Sequence, residues 1–113
     1  MNQPLNDFIS AFIRSTSGNL VPAGKRDFYE NILIGAASTR IKEQFVVEDK
    51  RYILIEEFWL SQENTMFIAF TDSETLRKRV EFFDDATLGK DFINGFKGSI
   101  LKIIANDTLN KSK

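Results

Sequence analysis

Two stretches in the middle of this chain, 51–60 and 65–71, are apolar on both alternations of a β-strand, and that limits the folds open to it. Side chains point alternately to opposite sides of a strand, so each stretch divides into two faces. In the first, Tyr52, Leu54, Phe58 and Leu60 share one face, while Ile53, Ile55 and Trp59 share the other. In the second, Met66, Ile68 and Phe70 oppose Phe67 and Ala69. The flanking stretches are one-sided. Over 41–47, Ile41, Phe45 and Val47 lie opposite Lys42 and Gln44; over 77–83, Val80 and Phe82 lie opposite Arg77, Arg79, Glu81 and a single Phe83. Two doubly apolar strands between two half-polar ones describe the centre and edges of one sheet. Helices on one side cover one face; the second needs another helix, a strong curl, a twin subunit or a different protein. The alternative to burial within the chain is an exposed apolar patch used for association.

The connections suit an antiparallel meander. Glu48-Asp49-Lys50, Ser61-Gln62-Glu63-Asn64 and Asp72-Ser73-Glu74 are short polar turns between runs of β-branched and aromatic residues. The last run, 77–83, has a rival reading as a helix that begins after Asp72 or Ser73. Upstream, Leu5, Phe8, Ile9, Phe12 and Ile13 recur at helical spacing, with Pro4 near the start, where its missing donor costs nothing. Phe28, Tyr29, Ile32, Leu33, Ala36 and Ala37 predict a short second helix over 28–36, weakened by Gly35, with a strand around 31–34 as its rival. After Asp84 and Asp85, Phe92, Phe96, Ile100 and Ile103 form the stripe of a C-terminal helix. Gly95 and Gly98 interrupt it, so the helix either packs closely on something there or kinks or restarts near Ser99. Residues 108–113 are polar and are expected to fray. The expected fold is α+β: an antiparallel four-stranded meander flanked by an N-terminal, a short second and a C-terminal helix, in one domain over 1–113.

A chain of 113 residues buries roughly two-thirds of its unfolded surface, so a core forms without metals or disulfides. Apolar residues at 42% and charged residues at 27% place it among globular rather than disordered chains. Eleven phenylalanines put much of the buried area of the core, or of an interface, on aromatic rings. The chain has neither cysteine nor histidine. That excludes thiol catalysis and thiolate metal sites, and it removes the commonest general base and metal ligand. No cofactor is expected. A net charge of −1 and a pI near 5.5 lack the footprint of a general nucleic-acid binder. Residues 1–7 hold no basic segment leading into an apolar run, and no stretch reaches the roughly 18 apolar residues of a membrane span. A cytoplasmic protein with no membrane partner is the expectation.

Glu56 and Glu57 sit inside the most hydrophobic strand, one on each face. Desolvation beside apolar neighbours would raise the pKa of a carboxyl and suit it to acid–base work. The structural alternative is that a twist takes both to the rim, or that an arginine such as Arg40 or Arg79 pairs with one. Asp84-Asp85 and Glu48-Asp49 are carboxylate pairs without calcium-loop spacing, and turn roles suit them better. Arg77-Lys78-Arg79 offers two cations on one strand face, either a phosphate or RNA contact or a solvated edge. No glycine pattern matches a phosphate-binding loop, and no serine lies in G-x-S-x-G.

These features favour a non-catalytic protein-binding module, of which an inhibitor or immunity protein that neutralises a toxin or enzyme by occlusion is one form. Its partner would be another protein or a second copy of the chain. The expected contact residues are Tyr52, Glu56, Glu57, Phe58, Trp59, Arg77 and Arg79, since tyrosine, tryptophan and arginine are enriched at interface hot spots. The charged turns 48–51 and 72–74 would supply a polar rim. The alternative is a small-molecule binder or carboxylate-dependent enzyme with a pocket between a curved sheet and the helices.

Overall fold

The computed structural model describes residues 3–15, 39–60 and 65–111. They form α1 (Gln3–Arg14), β1 (Thr39–Glu48), β2 (Arg51–Leu60), β3 (Thr65–Asp72), β4 (Lys78–Phe83) and α2 (Ala86–Lys111). The strands pair antiparallel in chain order, β1-β2-β3-β4, so the meander stands and 77–83 is strand rather than helix, from Lys78 onward. Two helices occur among the described residues; the short helix expected over 28–36 lies outside them. No described helix is long and apolar enough to cross a membrane.

Both helices lie on one face of the sheet. Leu5, Ile9 and Ile13 of α1 and Ile93, Phe96 and Ile100 of α2 close over Val47, Ile53, Ile55, Met66, Ile68, Phe70 and Phe83. Phenylalanine rings knit this layer: Phe12 meets Phe96 at 4.4 Å and Phe70 at 5.1 Å between centroids, and Phe8 stacks on Phe96 at 6.1 Å. The opposite face has its own cluster. Phe58, Phe67 and Ala69 are wholly buried there, with Val80 and Phe82 packed against them. The centre of the second apolar face is thus buried within the isolated chain and is not an open patch.

α2 begins at a cap. The Asp85 carboxylate accepts the Thr87 N–H at 2.7 Å, satisfying a donor that the first helical turn leaves unpaired. The helix then runs unbroken through Gly95 and Gly98 to Lys111, taking in most of the tail that was expected to fray. Neither close packing nor a restart accounts for those two glycines, because a Cβ at either would meet nothing within 4 Å. Gly89 is the tightly packed one: a Cβ there would stand 2.5 Å from the Met66 sulfur and 3.3 Å from Ile68.

Candidate functional site

The β1–β2 and β3–β4 turns meet at one end of the sheet, where they bound a cleft of about 650 Å³. Glu48, Asp49, Lys50 and Tyr52 line one side, Ser73 and Glu74 the other, and Arg51 lies between them. The first turn reverses tightly: Glu48 pairs with Arg51, and Asp49 takes a left-handed φ of 48°, which aspartate tolerates. The two turns are locked together by the backbone of Tyr52. Its N–H donates to the Ser73 hydroxyl at 2.9 Å, and its carbonyl accepts the Ser73 N–H at 3.0 Å.

Beneath the cleft lies a buried ion pair. Arg51 donates through Nε and Nη2 to the two carboxylate oxygens of Asp72, at 3.1 and 2.8 Å, in the forked geometry that guanidinium and carboxylate share. Its remaining arm donates to the Asn6 side chain, joining α1 to the site, and Glu74 stands 3.1 Å from Nε. Asp72 also accepts the Glu74 N–H and the Thr75 hydroxyl, each at 3.1 Å. Burial works against the Asp72 charge. It is the largest single influence, but the Arg51 hydrogen bonds, the Glu74 N–H, the Arg51 charge and Thr75 together outweigh it and hold the carboxyl below its ordinary value. The Asp72 hydrogen bond likewise raises the Arg51 pKa, against the effect of burial.

The second turn ends on Leu76. Its N–H donates to the Asp72 carbonyl at 2.8 Å, and its φ of 61° puts a leucine in the left-handed region, with 77% of its surface exposed. Bulky residues are uncommon there, because Cβ crowds the following carbonyl. On the same end of the sheet, Val46, the cross-strand neighbour of Tyr52, is 62% exposed.

The other expected contact residues are not gathered here. Phe58 is buried in the second-face cluster and offers no surface. Glu56 is buried on that same face, between Lys42 and Ala69 of the neighbouring strands. Glu57 faces the helices and is paired with Lys90 of α2 at 2.6 Å, so its partner is a lysine rather than an arginine. Trp59 lies under the same Lys90, whose Nζ is 5.3 Å from the ring. Neither glutamate lines a described cleft.

Arg77 and Arg79 do not share a surface. Arg77 is exposed in the turn, but Arg79 points into the helix-covered face. There its guanidinium lies 4.3 Å over the Phe12 ring, donates to the Phe12 carbonyl at 2.8 Å and pairs with buried Glu81. The sequence alone leaves the face of Arg77 and Arg79 open between a phosphate or RNA contact, a partner contact and a solvated edge; for Arg79 the structure gives none of these. Among the described residues, no acidic side chains converge to hold a metal ion. Of the expected contact residues only Tyr52 lines the cleft, with Arg77 in the same turn as Leu76; the rest of its lining comes from the turns 48–51 and 72–74, expected as a polar rim, while the burial of Arg51 and Asp72 as a pair and the place of Leu76 were not anticipated. The Asp72-Ser73-Glu74 turn was legible, but no signal in it foretells a leucine at a left-handed position. No protein-family model, curated protein or solved structure matches this chain.

Proposed function

We propose that this chain is a non-catalytic protein-binding module whose recognition surface is the turn end of the sheet. The observation that carries the reading is Leu76, an exposed apolar side chain held at a left-handed φ. That conformation costs a non-glycine residue about 1–2 kcal/mol, and an exposed leucine gains little burial to offset it. An outlier of this kind argues for a role outside the chain's own stability. Val46 and Tyr52 add apolar and aromatic area at the same end, and Glu48, Asp49, Lys50, Glu74 and Arg77 supply charge around them. An apolar centre with a charged rim is the usual anatomy of a protein interface. The Arg51–Asp72 pair fixes both turns in advance, which lowers the ordering cost of binding. Occluding a partner toxin or enzyme, as an inhibitor or immunity protein does, would need no chemistry from such a surface.

Leu76→Gly separates recognition from stability. Glycine relieves the left-handed strain, so the variant should be more stable by about 1 kcal/mol and melt several degrees higher. A tagged wild-type chain should retain a near-stoichiometric protein from its source lysate, and the variant should retain at least about ten-fold less. Equal capture by both chains, or no stoichiometric partner for the wild type, would sink the reading.

A further inference from the structure

We propose that the outer face of α2 is a two-fold interface between copies of this chain. Leu88, Asp91, Gly95, Gly98, Lys102 and Ala105 are all exposed and follow one another at intervals of three, four, three, four and three residues. At 100° per residue they form one stripe, turned about 160° from the buried Ile93–Phe96–Ile100 side. The stripe is its own complement when the helix meets a reversed copy on an axis between Gly95 and Gly98. Leu88 then faces Ala105, Asp91 faces Lys102, and Gly95 faces Gly98, each pair occurring twice.

Charge and space both point to a second copy as the occupant. Asp91 and Lys102 are eleven residues apart, about 16 Å along the helix, so they cannot pair within one chain. Neither has a partner among the described residues, yet reversed copies bring each against its opposite at two symmetric positions. The glycines sit where the two backbones would come closest, and a Cβ at either has nothing within 4 Å to justify its absence in the single chain. Leu88, 58% exposed, gains cover from Ala105 of the copy. A contact of about five helical turns is smaller than a standard interface, so the dimer should be weak, with a Kd on the order of 10–100 µM. This interface is separate from the turn end and does not depend on its role.

Sedimentation equilibrium of the whole chain, from about 10 µM to about 1 mM, tests it. The wild type should show a monomer–dimer equilibrium. Asp91→Lys and Lys102→Asp should each weaken it by about ten-fold or more, by setting like charges against each other. The double variant D91K/K102D reverses every pair and should return the affinity to within about three-fold of wild type. Gly98→Leu should abolish association while circular dichroism shows the fold retained. A wild type that stays monomeric throughout, a double variant no tighter than the single ones, or a dimer indifferent to all four changes would overturn the interface.

Discussion

Asp72 is where the β3–β4 turn, β2 and α1 are tied together, through Arg51, Asn6, Thr75 and the Glu74 amide. Removing one member of a buried pair leaves the other charge uncompensated, so Asp72→Ala should cost about 3–5 kcal/mol in a urea titration. The pH dependence follows from the direction of the shift. The folded-state pKa of Asp72 lies below its unfolded value, so the contribution is complete above about pH 4 and is lost as pH falls through the folded value. Wild-type stability should therefore drop on acidification below about pH 4, and Asp72→Asn, already weaker at neutral pH, should show a shallower slope. Equal slopes would mean that other carboxylates carry the acid sensitivity. Alternation along β4 showed that Arg79, Glu81 and Phe83 share a face, but not which face is inside. The charged face is the inner one because Arg79 has a ring to lie on, a helix carbonyl to cap and a carboxylate to pair with. Those partners come from elsewhere in the chain, and no local pattern announces them. Glu57 repeats the lesson: its strand position was legible, but Lys90 of α2 was not.

At the level of elements, the first three strands and α1 could be read to within about two residues, since periodicities of two and 3.6 are local and the turns between strands are short; the fourth stood open between strand and helix. α2 was legible as a stripe but not as one continuous helix, because two glycines usually mark a break and here the helix runs straight through them. The three described glycines of α2 should therefore respond with opposite signs. Gly95→Ala and Gly98→Ala remove helix-weakening residues in open space and should each stabilise the monomer by about 0.5–1 kcal/mol. Gly89→Ala drives a methyl into Met66 under the first turns of the helix and should cost about 1–3 kcal/mol. Thermal melts at low protein concentration, where only monomer is present, would distinguish the two classes. α2 is also held differently on its two sides. Toward β3 and β4 it packs through Phe92 and Phe96 against Phe70 and Phe83, while toward β1 and β2 it reaches by lysine. Lys90 pairs with Glu57 and lies over Trp59; one heptad on, Lys97 pairs with Glu43 at 2.6 Å and lies 5.7 Å from Phe45.

Over the whole molecule, the protected centre is the β2–β3 pair, the strands whose doubly apolar character stood out in the sequence. Their central residues are buried on both faces, whereas α2 beyond Ile104 is largely exposed as far as Leu109. Amide hydrogen exchange should rank them accordingly. The β2 and β3 amides should exchange only through global unfolding, and those of the last turns of α2 should exchange fastest among the helical amides. Comparable protection along all of α2 would mean that its distal turns are covered in solution.

The pairing of α1 with α2 bears on how the chain is made. Phe12 of α1 rests against Phe92 of α2, about 80 residues further along, while every strand finds its neighbour next to it in sequence. On a ribosome the hairpins can therefore close as they emerge, but the phenylalanines of α1 and the underside of the sheet must wait for α2, which follows the sheet in chain order. For that interval the nascent protein is a sheet with a greasy, unroofed side, and it is then that a chaperone would matter most.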